Sequence, residues 1–315
     1  MITILLATYN GEEYLREQLE SIKKQTYTDW KIIAGDDGSR DKTVEILREF
    51  ACKFPDRIDY IENVPPTGSA KKNFAKLMSM AEESDYIMCC DQDDMWKSYK
   101  LEESMKKMNE LEKRYGKAVP LLIHGDVEVV DEEEKVISDS MFKLSGIPPV
   151  STVSKLMVQN NVTGCTMFMN QALLKKVLKS LDRDEVIMHD YIVALYARVF
   201  GYTDVIELPL LSYRQHGDNS VGAKNSKSIG YLLKRFSDGK NNYKKAMSES
   251  RRQIKMFAEV YKEEFVLNQK SEEYKLLCEY SELGDRNHLS RVLFYIKNKA
   301  WKKGVIRKIM QIFWG

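Results

Sequence analysis

The run Tyr86-Ile87-Met88-Cys89-Cys90-Asp91-Gln92-Asp93-Asp94-Met95-Trp96 decides how this chain is read. A short apolar segment stops abruptly at three carboxylates within four positions. Apolar runs of this length bounded by a turn read as buried strands. Carboxylates packed this closely repel one another unless a cation or hydrogen-bond donors hold them. A solvated turn that caps the next helix is the plainer use of the same residues. The alternative is an oxygen site suited to Mg2+ or Mn2+, ions that keep part of their shell for substrate phosphates.

Working outward, the upstream sequence repeats the pattern. Ile2 to Ala7 forms a β-branched, apolar strand that ends in Thr8-Tyr9-Asn10-Gly11. A helix follows, with Glu12 and Glu13 in its first turn, Leu15, Leu19 and Ile22 on one face and Lys23 and Lys24 at its end, as the helix dipole prefers. Trp30 to Gly35 is a second strand, followed by Asp36-Asp37-Gly38-Ser39 and a helix carrying Val44, Leu47 and Ala51. Ile58 to Ile61 is a third strand, and Asn73 to Glu83 a third helix. Strands alternating with helices predict an α/β fold with a mostly parallel central sheet covered on both faces, whose ligands sit beyond the carboxyl ends of the strands. Both acidic turns fall on that edge. Asp-Gly is a common turn former and Asp41 suits a helix cap. Its placement beside the second acidic turn also makes Asp36 or Asp37 a candidate acceptor for the N–H groups of a nucleotide base.

Beyond residue 118 the pattern loosens, with strands expected at 120–124, 127–130, 163–169 and 205–213, and helices at 171–181 and 190–200. From about Lys224 only helices are expected. The 315 residues, 43% apolar and 30% charged, can bury a core and exclude a disordered or collagenous chain. The net charge of +2 hides a split: residues 1–222 carry −9 and residues 223–315 carry +11. The five cysteines form no CxxC pair, which argues against a zinc site or a disulfide scaffold and for a reducing compartment. With no basic leader at the N-terminus and no apolar stretch near 18 residues, a cytoplasmic location is expected.

Thr8-Tyr9-Asn10-Gly11, Asp36-Asp37-Gly38-Ser39-x-Asp41 and Asp91-Gln92-Asp93-Asp94-x-Trp96 occur in the order and spacing of glycosyltransferase family 2, which the chain resembles from residue 2 to about 222. It looks especially similar to the bacterial rhamnosyltransferase branch, which shares the DQDD-x-W box and a late Tyr213-Arg214-Gln215-His216-x-x-Asn219 segment. The resemblance implies a GT-A type nucleotide-diphospho-sugar transferase domain over 1–222, inversion at the sugar C1, and a basic helical extension over 223–315. It implies that Thr8, Tyr9 and Asn10 line the base pocket, that Asp36 or Asp37 meets the pyrimidine, and that Asp91 meets the ribose or sugar. Asp93, with Asp94 beside it, takes the place of the metal-binding carboxylate, and His216 that of a histidine completing the shell of Mn2+ or Mg2+. Gly164, in Thr163-Gly164-Cys165-Thr166, is similar to the segment lining the donor sugar. Asp190 resembles the family's base. By its residues alone it reads first as an N-terminal helix cap.

The implied donor is a dTDP- or UDP-linked sugar, with dTDP-L-rhamnose first and a UDP-hexose or UDP-N-acetylhexosamine as the alternative. The implied acceptor is a growing, lipid-linked surface glycan of a cell wall or capsule. Two rival readings use the same residues. A haloacid dehalogenase type phosphatase also has an Asp-x-Asp turn after a strand, but Met95 stands where that family wants Thr or Val. A non-catalytic sugar-nucleotide-binding subunit would bind through the same pocket without turnover.

From Arg286 onward there are eight Lys or Arg and no acidic residue. Leu289, Val292, Leu293 and Ile296 form one stripe, and Val305, Ile306, Ile309, Ile312, Phe313 and Trp314 another. A basic amphipathic helix bearing Trp and Phe suits the interface of an anionic membrane, so residues 286–315 are expected either to touch the inner face of the cell membrane or to pack on the catalytic domain. No motif accompanies the charge that would point to nucleic acid.

Overall fold

The computed structural model describes residues 1–217 and 239–315. The nine-stranded sheet begins with four parallel strands: β1 (Ile2–Thr8), β2 (Trp30–Asp36), β3 (Ile58–Glu62) and β4 (Tyr86–Cys90). They stand in the order β3-β2-β1-β4, so the chain reverses its direction of winding at β1. In an open α/β sheet this reversal opens a crevice at the carboxyl ends of the strands. The loops after β1 and β4 flank it.

Side-chain alternation explains why these strands are buried on both faces. Ile2, Ile4 and Leu6 pack with Tyr86, Met88 and Cys90 on one face, whereas Leu5 packs with Ile87 and Cys89 on the other. The first face is covered by α1 (Leu15–Lys23), α2 (Thr43–Lys53) and α4 (Lys100–Tyr115). Leu15, Leu19 and Ile22 of α1 are fully buried there. The second face is covered by α3 (Ala70–Met80), α7 (Gln171–Leu181) and α8 (His189–Phe200). Ser69 caps α3 and Asn170 caps α7 through their side-chain oxygens.

The second half of the sheet is mixed. The short strand β8 (Phe168–Asn170) pairs antiparallel with both β4 and β6 (Leu121–Val130), and β6 pairs parallel with β9 (Tyr202–Arg214). β5 (Met95–Trp96) lies antiparallel on β9, and β7 (Val136–Ser138) antiparallel on β6. Two expectations change here. Residues 120–130 form one strand rather than two, because Gly125 lets the chain continue under Leu210, whose Cδ1 would lie 2.4 Å from a Cβ at that position. The expected strand at 163–169 begins instead as a 3-10 turn, Gly164–Thr166, held by the Thr166 amide and hydroxyl donating to the Thr163 carbonyl. Two short helices, α5 (Met141–Ser145) and α6 (Val153–Leu156), lie between β7 and that turn.

The C-terminal region is helical throughout its described length: α9 (Gly239–Val260), α10 (Lys262–Leu267), α11 (Ser271–Ser281), α12 (His288–Lys297) and α13 (Val305–Trp314). Its aromatic residues Phe257, Tyr261 and Phe265 meet Tyr196 and Phe200 of α8, so these helices extend the core of the second sheet face. Fully buried Gln253 of α9 accepts a hydrogen bond from the Ile187 amide at 2.8 Å, just before α8. The Lys303 amide donates to Gln159 at 2.8 Å. Asn219 and the expected domain boundary at 222 lie outside the described residues. No helix among the described residues is long and apolar enough to cross a membrane.

Candidate active site

The loop after β1 is fixed by its neighbours rather than by itself. Asn10 adopts a left-handed conformation, φ 47°, its amide donating to Ser39 Oγ and its side-chain oxygen accepting from the Arg40 amide, both at 2.9 Å. The Gly11 and Glu12 amides donate to Thr43 and Asp41. Gln92, between the carboxylates after β4, accepts from the Tyr9 amide at 2.8 Å and donates to the Tyr9 carbonyl at 3.0 Å. Both acidic turns are thereby tied to one loop, and the Tyr9 ring stands 55% exposed above it.

Asp36 and Asp37 have different surroundings. Asp36 accepts from Thr8 Oγ1, Ser39 Oγ and the Gly38 and Ser39 amides, which fills the four lone-pair positions of a carboxylate. Asp37 accepts from Asn63 and the Thr67 amide on Oδ1 and from the Gly68 amide on Oδ2, which leaves capacity on Oδ2.

After β4 the three carboxylates separate by depth. Asp93 Oδ2 lies 2.9 Å from His216 Nε2, beyond the end of β9. Arg214 of β9 reinforces the turn: its Nε donates to the Asp93 carbonyl at 3.3 Å, and its Nη2 pairs with Glu17. The guanidinium lies 4.6 Å from the centre of the Tyr14 ring, which in turn packs on His216. Asp94 turns inward and is 1% exposed. Its side chain, with those of Asp91 and Cys165, brings candidate ligand atoms within 4.8 Å of one another. Fully buried Lys100 lies under this cluster, donating to the Cys165 carbonyl at 2.5 Å with its ammonium 3.8 Å from the Trp96 ring centre. Burial, with Asp93 and Asp91 nearby, pushes the Asp94 carboxyl well above the usual range, and burial draws the Lys100 ammonium down.

A divalent ion of the Mg2+ type holds ligands at about 2.1 Å, so neighbouring ligands of an octahedral shell stand about 3 Å apart. Asp93 and His216 are joined by a direct hydrogen bond, so both bring a ligand atom to one point, and an ion held by the two would replace that bond. Asp91, Asp94 and Cys165 fit such an ion less well, because a soft thiol and a nearby ammonium suit neither ion.

On the other side of the crevice, Asp190 stands in the first turn of α8. Its Oδ1 is buried and has no hydrogen-bond partner among the described residues. Burial raises its carboxyl to about 7, against the amides of Tyr191, Gly164 and Asp190 itself. The Asp190 charge reaches Asp91, which is also raised to about 7, first by burial and then by Asp93 and Asp190. Gly164 lies against this turn: a Cβ there would stand 3.0 Å from His189 Nε2 and 3.8 Å from Asp190 Cβ. His189 packs on Phe74 at 4.2 Å, and burial lowers its pKa to about 3, so the ring is neutral.

The structure thus gathers Thr8, Tyr9, Asn10, Asp36, Asp37, Asp91, Asp93, Asp94, Gly164, Asp190 and His216 around the carboxyl edge of the sheet. Sequence reasoning missed Gln92, Lys100 and Arg214. Gln92 reads as a spacer between carboxylates, and Lys100 as a solvated cation opening a helix. Arg214 had a usable signal, a cation two residues before His216.

Residues 3–130 match the family described as glycosyl transferase family 2. The chain is 30% identical over 237 residues to dTDP-rhamnosyl transferase RfbG of Shigella flexneri, covering 72% of this chain and 76% of that one. The chain belongs to glycosyltransferase family 2. The uncharacterized glycosyltransferase MJ1057 of Methanocaldococcus jannaschii is 29% identical over 221 residues, 68% of this chain and 70% of the other. Among solved structures, S. aureus TarS 1-349 in complex with UDP-GlcNAc superposes with a TM-score of 0.55 at 15% identity, covering 99% of this chain and 90% of TarS 1-349. That likeness concerns the fold, which is of the GT-A type and carries a helical C-terminal region.

Proposed function

We propose that this family 2 member is an inverting, divalent-metal-dependent glycosyltransferase that moves a sugar, with L-rhamnose from dTDP-L-rhamnose as the first choice, onto a growing lipid-linked surface glycan at the inner face of the cell membrane. The observation that carries the reading is the placement, around one sheet edge, of the Asp93–His216 pair and an ionisable carboxylate with a free buried oxygen, Asp190. Similarity to RfbG supports the choice of donor.

In this reading Thr8, Tyr9, Asn10 and Asp37 hold the base, with Asp37 Oδ2 free to accept from the pyrimidine N–H while Asp36 shapes the turn. Asp91 meets the ribose or sugar, and Gly164 admits the sugar by leaving its wall without a side chain. Asp93 and His216 would hold Mn2+ or Mg2+, the imidazole favouring Mn2+, with Asp94 buried beside them. The ion, when bound, supplies positive charge for the departing diphosphate. Asp190 takes the proton of the acceptor hydroxyl as that oxygen bonds to C1 and the bond from C1 to the diphosphate oxygen breaks. Attack on the face opposite the leaving group inverts the anomeric centre.

The purified chain with Mn2+ and a panel of dTDP- and UDP-sugars tests this directly. Nucleotide release with dTDP-L-rhamnose that EDTA abolishes is the expected result. Release that ignores EDTA would remove the metal from the scheme, and preference for a UDP-sugar would replace the donor. Donor binding without release by wild-type chain, given an acceptor glycan, would favour a binding subunit.

A further inference from the structure

Only one side of each of the last two helices is used by the fold. In α12, Phe294 and Tyr295 face inward and are buried, while Leu289, Leu293 and Ile296, spaced four and then three residues apart, are 54–66% exposed. In α13, Met310 and Gln311 are buried, and the Gln311 amide donates to the Ala300 carbonyl and accepts from the Lys302 amide, both at 2.8 Å. Those two hydrogen bonds to the preceding turn fix which side faces out. Val305, Ile309 and Phe313, each four residues apart, are then exposed, Val305 by 74% and Phe313 by 68%.

We propose that these two outward apolar rows form a contact surface for an anionic lipid bilayer. Charge selects this occupant. Lys297, Lys299, Lys303 and Lys308 are exposed, and none has an ion-pair partner among the described residues. No acidic residue occurs from Arg286 to the end of the sequence. A second copy docking face to face would bring like charges together, whereas anionic headgroups would neutralise the lysines as the apolar rows enter the acyl boundary. Neither helix alone is a strong anchor, since interfacial attachment generally needs two signals, apolar area and basic charge. Each row here has both. The surface deepens the reading of a lipid-linked acceptor, and its test does not depend on turnover.

The full-length chain is sedimented with vesicles of phosphatidylcholine alone and of phosphatidylcholine with phosphatidylglycerol. Binding only to the anionic vesicles, weakened by salt, is expected. Replacing Lys297, Lys303 and Lys308 together by Gln should lower partitioning about a hundredfold, at about fivefold per lysine. Leu293→Ser with Phe313→Ser should lower it at least about tenfold. Both variants should melt at the wild-type temperature, because the exchanged side chains are exposed. Equal binding to neutral vesicles, or partitioning that neither variant reduces, overturns the proposal. So does a chain that ignores vesicles and forms a dimer which Leu293→Ser and Phe313→Ser dissolve. Vesicle binding by a chain that releases no nucleotide would uphold this surface and count against the catalytic reading alone.

Discussion

Asp93 Oδ2 stands 2.9 Å from His216 Nε2, a carboxylate and an imidazole drawn together from positions 123 residues apart. Arg214 holds the Asp93 carbonyl, so the pair is set by β9 as much as by the turn after β4. If this pair grips the ion, His216→Ala should raise the Mn2+ concentration for half-maximal nucleotide release about 10- to 100-fold, the scale seen when support for a metal ligand is lost. Asp93→Asn should weaken Mn2+ binding at least as much. A Mn2+ titration followed by the resonance of the free ion measures binding without turnover. Wild-type Mn2+ affinity in both variants would exclude the pair.

The raised carboxyl of Asp190 gives a pH signature. A base must be ionised, so with a pKa of about 7 the transfer rate should climb through neutrality and level off above it. Asp190→Asn should cost about 100- to 10,000-fold in transfer and leave donor binding intact. Stability runs the other way. The folded pKa lies above the unfolded one, so the stabilising contribution is complete below the ordinary Asp pKa of about 4 and is lost as pH rises through about 7. Above neutrality Asp190→Asn should therefore melt higher than wild type. Thermal melts across pH, read beside rate profiles, check both signs.

Asp36 and Asp37 should separate in their effects. With all four acceptor positions of Asp36 occupied within the chain, Asp36→Ala strands buried donors and should cost about 1–3 kcal/mol in urea denaturation. Asp37→Asn keeps acceptor capacity on one oxygen, so its main effect should be on donor KM, with kcat within a few fold. An unchanged donor KM would remove Asp37 from the base pocket.

Lys100 and Asp94 should behave as a unit. Lys100→Met takes the cation from beside Asp94 and the donor from the buried Cys165 carbonyl, and should destabilise by about 1–3 kcal/mol. Adding Asp94→Asn to that variant should recover part of the loss. Additive losses in a double-mutant cycle would show that the two do not act together.

The first four strands were legible because each is a short apolar run ended by turn residues and its parallel neighbours follow at regular intervals. The strands expected at Ile2, Trp30, Ile58 and Tyr86 begin at those residues. The second half of the sheet was less so. β8 is three residues long and pairs across sequence distances that no local pattern records, and β5 is two residues long, directly after the acidic turn. At the site, residue types marked the carboxylates and His216, but depth does not show in a sequence. Asp93 and Asp94 are adjacent and identical in type, yet one meets His216 and the other is buried beside Cys165. The tail was legible as amphipathic helices, while which side of each is sealed depends on Gln311 and Phe294 finding partners.

Gln253 carries a last consequence. Its side chain seats the Ile187 amide immediately ahead of α8, and the Lys303 amide is bonded to Gln159 in the segment after α6. A chimera that swapped the C-terminal helices for those of another transferase would leave a half-buried amide without its acceptor two residues before His189. Tail and crevice are therefore constrained to diverge together, and a change of anchoring surface over evolutionary time would have to come through the outward rows of α12 and α13, where substitution leaves the wall untouched.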